Sequence, residues 1–362
     1  MSDMICEHCG CVLEPGAEHE FRDGLYCEEC FEEMTVVCDH CGERILRDQA
    51  EGDDRIYLCP SCFANHYVAC DRCGRLVLYD DALYESDDDD TPYCSCCFHR
   101  SYYIHPYSYK PDPIFHGSSN RYFGVELEVD DGGESERNAE IISKLANQTG
   151  NNLYCKHDGS LNDGFELVTH PMSLEYHCTR MPWHPVLQKL KSLGYRSHQT
   201  RTAGLHVHVN RDALGETWEE QESAIARILF FLEKHWEELV KFSRRTQGQL
   251  ERWANRYGLK NSPKEILKTA KGTCDRYTCL NLGNRNTIEF RIFRGTLKYN
   301  SIIATLQLVD QICNVALLLS DAEIRDLSWT SFVIECTQPE LIQYLKERRL
   351  YVNDPVESEG DV

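Results

Sequence analysis

The sequence predicts an α+β protein in which small cysteine-rich modules precede a larger domain, a mixed and largely antiparallel sheet with helices packed on one side. Three observations lead there. Cysteines crowd the first hundred residues, with 14 of the 20 at or before Cys97. Their spacing repeats. The rest of the chain alternates period-two strands with helical apolar stripes. A length of 362 residues suits one large core plus a smaller unit. The predicted organisation is a cysteine-rich arm over 1–99, a Tyr/Pro-rich linker over 100–114, the larger domain over 115–352 and an acidic tail over 353–362.

The arm has a 32-residue period. Cys6, Cys38 and Cys70 each open a C-x-x-C pair closed by Cys9, Cys41 and Cys73, with Gly10, Gly42 and Gly74 following. The second pairs are Cys27 with Cys30, Cys59 with Cys62, and Cys94 with Cys97. Seventeen residues separate the pairs in the first two repeats and twenty in the third, whose extra length predicts an exposed acidic loop, Asp87 to Asp90. A tight C-x-x-C turn aims two sulfurs at one cation, and two such turns complete the tetrahedral shell zinc prefers. Twelve cysteines thus make three closed, structural Zn2+ sites with no open coordination position. The glycine after each first pair suits a left-handed turn. Cys11 and Cys96 fall outside the register and read as spare thiols, and His8 and His40 as turn residues. The modules resemble LIM-like zinc ribbons, although their seven-residue connections exceed the LIM spacer.

Charge narrows the function classes. Residues 1–114 hold 25 acids against 8 Lys and Arg, so most of the net charge of -21 sits on the arm. Such a surface repels a phosphate backbone and argues against nucleic acid, whereas it suits a basic protein partner. The start, MSDMICEHCG, has neither the basic residues nor the apolar run of a secretory signal. No stretch reaches the roughly 18 uncharged apolar residues of a membrane span. Metal-ready thiols suit a reducing compartment, and the expected location is cytoplasmic.

In the larger domain, Tyr122 to Val129 alternates as a strand. A long helix is predicted from about Thr217 to Phe242, opened by a Thr217–Glu220 capping box, and an apolar helix from about Ser301 to Leu319. The linker RSYYIHPYSYKPDPI has neither period and reads as semi-extended.

The strands carry the chemistry. In FGVELEVD, Glu126 and Glu128 share one face and Val125, Leu127 and Val129 the other. Two acids side by side repel unless something positive lies between them. KHDGSLNDGFELVTHP places Asp158 in a turn and Glu166 at a strand start, AGLHVHVN sets His206, His208 and Asn210 on one face, and NTIEFRIFRG aligns Glu289 with Arg291. Carboxylates with one or two imidazoles suit Mg2+ or Mn2+, and an arginine beyond them suits a phosphate.

These motifs, in this order, resemble the carboxylate-amine ligase superfamily of glutamine synthetase and glutamate-cysteine ligase, and most closely its amidoligase family, over roughly residues 120–300. The resemblance implies a glutamine-synthetase-like sheet and an ATP-dependent reaction joining a carboxylate to an amine, through an acyl phosphate. The amine and carboxylate could belong to a metabolite, a peptide or a protein. It further implies that Glu126 and Glu128 serve different metal ions, that His206 and Glu289 are ligands, and that Arg291 meets the transferred phosphate. Asp158 and Glu166 occupy the place of a further acidic pair, with aspartate where glutamine synthetase has glutamate. Glu166 and His208 join Arg291 and Arg294 as catalytic candidates, and Arg285 and Arg294 are candidates for a nucleotide arginine. No G-x-x-x-x-G-K-S/T loop occurs, which argues against a P-loop ATPase. The rival expectations are a metal-dependent hydrolase and a non-enzymatic zinc-ribbon adaptor.

Overall fold

In a computed structural model, the residues described are 4–53, 55–71, 73–84, 90–98, 103–273 and 275–351. All but Asp90 of the expected acidic loop, the start of the linker and the whole acidic tail lie outside them. The chain divides into two units, Met1–Ser101 and Tyr102–Val362.

The first unit consists of short hairpins and helices of one or two turns around sulfur clusters. Gly10, Gly42 and Gly74 have φ of 75°, 76° and 71°, the left-handed turn expected after each C-x-x-C. The second pair of each module sits at a helix start: Cys27 caps Glu28–Met34, and Cys59 caps Pro60–His66 while accepting from Cys62 N at 3.3 Å. The sulfurs of Cys9 and Cys27, Cys41 and Cys59, and Cys73 and Cys94 are 3.8, 3.9 and 3.8 Å apart. A tetrahedron with Zn–S bonds of about 2.3 Å has edges of about 3.8 Å, whereas a disulfide measures about 2.0 Å. The clusters therefore have the dimensions of zinc sites. The first departs from expectation: Cys11 joins Cys6, Cys9 and Cys27, with Cys30 also against those three, so five thiols gather there. Gly10 turns the chain back over the site, and the positions equivalent to Cys11 in the other modules hold Glu43 and Arg75.

Within the second unit, the strands are β1 (Ile104–His105), β2 (Phe123–Val129), β3 (Leu153–Lys156), β4 (Phe165–Thr169), β5 (Gly204–Asn210), β6 (Leu280–Asn281) and β7 (Thr287–Arg294). They form one sheet in the order β6-β7-β5-β2-β4-β3-β1, antiparallel except for β3 with β1. One face is apolar: Val125, Leu127, Leu167, Val207 and Phe290 pack with Ile142, Val186, Ile228 and Leu306 of the helices in one continuous core. Each such side chain contributes roughly 1.5–3 kcal/mol by leaving water. The helices used below are α1 (Glu136–Ala146), α2 (Trp218–Lys234), α3 (Trp236–Ser243) and α4 (Tyr299–Leu318).

Three expectations change. The predicted long helix is two, because His235, at φ -102° and ψ 31°, breaks it between α2 and α3. Its capping box is present, with Glu220 N donating to Thr217 Oγ1 at 3.2 Å and Thr217 N to Glu220 Oε2 at 3.0 Å. α4 is long and apolar enough for a membrane span by composition, yet 78% of that window is buried, as befits a core helix. The linker is not merely a connection. Its Ile104 and His105 pair with Cys155 and Lys156 as the edge strand β1, and Tyr103 N donates to Glu136 at the start of α1 at 2.8 Å.

Candidate active site

The sheet register brings the polar residues together. Glu126 lies opposite His206, Glu128 opposite Glu166, Glu166 opposite Lys156, and His208 opposite Glu289. Since side chains alternate along each strand, these partners share the face opposite the core. A bulge in β7, where Leu205 pairs with Phe293 but Val207 with Phe290, buries Ile292 and Phe293 together. The single break in alternation follows Arg291, so Glu289 and Arg291 stay on the polar face.

Two overlapping ligand sets result: Glu126, His206 and Glu289, and Glu128, Glu166 and His206, with the ligand atoms of each set within 4.8 Å of one another. A neutral imidazole offers one lone pair, so His206 serves one set. Its Nδ1 is 3.2 Å from Glu126 and 3.6 Å from Glu289, while its Nε2 is 3.9 Å from Glu128, which favours the first. Glu126 and Glu128 thus fall in different sets.

The charges are not evenly shared. Burial would raise the Glu126 carboxyl, but the charge of His208 and hydrogen bonds to both histidines hold it well below the usual range. Glu289, despite its burial, is kept low by His208 and Arg291. Burial pushes His208 down, and Glu126, with its oxygen 3.0 Å from Nε2, reverses this to about 8. On the other side, burial, only partly offset by His206, raises Glu128. Burial, then Glu126 and Glu128, push Glu166 well above the carboxylate range. The positive groups therefore settle one set and leave the other short of cation. Such a donor set, buried carboxylates that resist ionising without a counter-charge, fits a hard divalent ion such as Mg2+ or Mn2+.

These groups line one cavity of about 510 Å³. Asp158 lines it outside both ligand sets, accepting from Ser160 N at 2.7 Å. Arg291 is tied through Nη1 to Glu289, lies 5.6 Å over the Tyr277 ring, and keeps its Nε buried without a partner among the described residues. Several lining residues escaped sequence analysis. Lys156 places Nζ 4.0 Å from Glu166 and 5.1 Å from the Tyr107 ring. Burial lowers the pKa of Arg245 to about 10 against the opposing charge of Glu128, and its Nε donates to Phe293 O at 3.1 Å. Gly204 makes room for this: a Cβ there would strike Arg245 Nη2 and lie 2.8 Å from His206 Nε2. Gly204 N also donates to Glu128.

Two candidates do not reach the cavity. Arg294 lies at the end of β7, donates to Arg244 O at 3.2 Å and lines a separate hollow, because Arg245 occupies the space beside Glu128. Arg285 is exposed in the turn before β7.

Residues 145–313, a little under half of the chain, match the family described as "Putative amidoligase enzyme". No curated protein matches the chain. Among solved structures, a bifunctional glutathione synthetase from Pasteurella multocida aligns at 12% identity over 63% of this chain and 46% of that chain, with a TM-score of 0.34. The complex between the prokaryotic ubiquitin-like protein Pup and its ligase PafA aligns at 10% identity over 57% and 50%, with a TM-score of 0.27. The chain spans about half the length of the structures it matches.

Proposed function

We propose that this chain, whose residues 145–313 carry the amidoligase family match, is an ATP-dependent carboxylate-amine ligase working in the cavity above the polar sheet face. The observation that carries the reading is the pairing of two carboxylate-rich ligand sets with Lys156, Arg245 and Arg291 in one cavity. Acids to hold metal beside cations to hold phosphate is the donor arrangement phosphoryl transfer requires.

Glu126, His206 and Glu289 would hold one divalent ion, and Glu128 with Glu166 another. Bound there, the ions supply neutralisation of phosphate charge and polarisation of phosphoryl oxygens. A carboxylate is a poor electrophile, so its oxygen first takes the γ-phosphoryl group: a P–O bond to the carboxylate forms as the bridging P–O bond to ADP breaks. Arg291, fixed by Glu289, donates to the oxygens that gain charge in this step, and Lys156 balances charge on the Glu166 side. The amine then attacks the acyl carbon, the C–N bond forms, and phosphate departs with the C–O bond's electrons. Asp158, which lines the cavity outside both ligand sets, would take the amine's proton. His208, protonated beside Glu126, orients that ligand.

The zinc arm acts by recruitment. Closed four-sulfur sites do no chemistry, and the arm's acidity favours a basic protein, as substrate or partner. Deleting residues 1–101 should spare turnover of a small substrate and weaken use of the native one.

The reading is tested by an ADP-release screen over amino acids, polyamines and peptides, with mass spectrometry of products. ADP and phosphate formed in step with a condensation product, lighter than its two components by one water, support it. ATP-independent hydrolysis of an amide or ester by the same cavity would replace it with a hydrolase.

A further inference from the structure

The first zinc module holds one thiol more than a tetrahedral ion can use. Cys6, Cys9, Cys11 and Cys27 place their sulfurs within 4.8 Å of one another. The Cys30 thiol also meets those of Cys27, Cys9 and Cys6. Two four-sulfur sets therefore share three members and differ in the fourth, Cys11 or Cys30. Zinc in a thiolate site takes four ligands, so one of these two is always left over.

The backbone fixes Cys11 at the site. Cys6 N donates to Cys11 O at 2.8 Å and Gly10 N to Cys6 O at 2.9 Å, which closes the knuckle turn. The other modules close the same turn, with Cys38 N donating to Glu43 O and Cys70 N to Arg75 O, both at 2.8 Å. Glu43 and Arg75 are thus the counterparts of Cys11, and neither offers a sulfur. Cys96, the remaining thiol of the third module, is exposed and belongs to none of the sulfur clusters among the described residues. The fifth sulfur therefore distinguishes the first module, while the turn that holds it is common to all three.

The two competing thiols differ in access. Cys30 is buried within the helix Glu28–Met34, whereas Cys11 is exposed. The shared Cys27 is half-buried, although its counterparts Cys59 and Cys94 are buried. Cys11 can thus meet an ion from the solvent side while Cys6, Cys9 and Cys27 hold it. The substitution balances: Cys11 gives up its proton and forms a Zn–S bond, the Zn–S bond to Cys30 breaks, and Cys30 takes up a proton. The ion keeps four thiolates and an unchanged net charge.

We propose that Cys11 is an interchangeable fourth ligand of the first zinc site, which can therefore give up one thiol to covalent modification and keep its ion. The second and third modules, with four clustered sulfurs each, lose their shell when one thiol is lost.

The test uses the full-length protein loaded with Co2+, whose absorption separates a four-sulfur shell from one with three sulfurs and an oxygen. The wild type, Cys11→Ser and Cys30→Ser should each show three four-sulfur sites. Cys11→Ser/Cys30→Ser and Cys62→Ser should each show two, and the sites that remain report a folded arm. Alkylation of the zinc-loaded wild type with N-ethylmaleimide should place one adduct in the first module, on Cys11 or Cys30, with three zinc ions retained in native mass spectrometry. A Cys30→Ser spectrum that has lost a four-sulfur site, as in Cys62→Ser, overturns the proposal. So does loss of a zinc ion with that adduct, or a wild type that never fills three sulfur sites. No ATP turnover is measured, and the outcome is independent of the ligase reading.

Discussion

Replacing Glu166 by glutamine separates a metal ligand from a structural carboxylate. In the ligand set it shares with Glu128, the donor atoms lie within 4.8 Å, so two ionised carboxylates would repel by about 3.5 kcal/mol at an effective dielectric constant of about 20. Lys156, 4.0 Å away, attracts by about 4 kcal/mol at the same constant. The two nearly cancel, and burial tips Glu166 toward its neutral form. An amide has almost the shape of that neutral acid, so Glu166→Gln should change metal-free stability by no more than about 1 kcal/mol, a shift in Tm of about 2–4 °C. The ligand response is different. At 100 times its Kd, an ion stabilises the wild type by about 2.7 kcal/mol, whereas a site weakened 100-fold leaves about 0.4 kcal/mol. All five tryptophans, Trp183, Trp218, Trp236, Trp253 and Trp329, lie in the second unit, so fluorescence melts report it separately from the zinc arm. Melts with and without Mg2+ and a non-hydrolysable ATP analogue are the assay. A variant that melts far below wild type without ligand, yet keeps the full response to Mg2+ and nucleotide, would refute the reasoning and make Glu166 structural.

Further outcomes follow from the same geometry. Arg291→Lys should retain the Mg2+ response but slow ADP release by about 100-fold, since an ammonium cannot keep the contact to Glu289 and reach phosphate in the same plane; unchanged turnover would remove Arg291 from the reaction. Gly204→Ala should destabilise the second unit by about 1–3 kcal/mol and abolish the Mg2+ response, because its Cβ collides with Arg245 and crowds His206; a wild-type melt and response would count against the packing described. His208 and Glu166 both have raised folded-state pKa values, so their contribution is full below the unfolded values and is lost as pH rises through the folded ones. The metal-free tryptophan melt should therefore fall as pH rises from 6.5 through about 8, and added Mg2+ should oppose the fall while releasing protons; a rising metal-free Tm over that window would contradict the assigned charges.

Much of the site was legible because its strands alternate strictly. In FGVELEVD, GLHVHVN and NTIEF, period two alone separates Glu126, Glu128, His206, His208 and Glu289 from the core, and the register then brings them together. Residues that reach the cavity by other routes were not legible. Lys156 ends a short strand with no polar alternation before it, and Arg245 follows a helix in a basic pair where nothing marks one arginine as buried. Tyr107 lies in a stretch without either period, whose role depends on β1 pairing across the sheet with β3. Arg294, a candidate for the nucleotide arginine, lies three residues beyond Arg291, and a bulge and the position of Arg245 part the two. In the arm, cysteine spacing carried the module count, but Cys11 joined the first cluster through a backbone turn that spacing does not encode.

The central claim is that the polar sheet face holds two divalent ions for phosphoryl transfer. Counting Mn2+ bound to zinc-loaded protein, by paramagnetic resonance in the presence of a non-hydrolysable ATP analogue, tests it most directly. Two Mn2+ per chain are predicted, with one lost in Glu289→Gln. Failure of the wild type to bind Mn2+ with the nucleotide analogue, or an undiminished count in Glu289→Gln, would contradict the account.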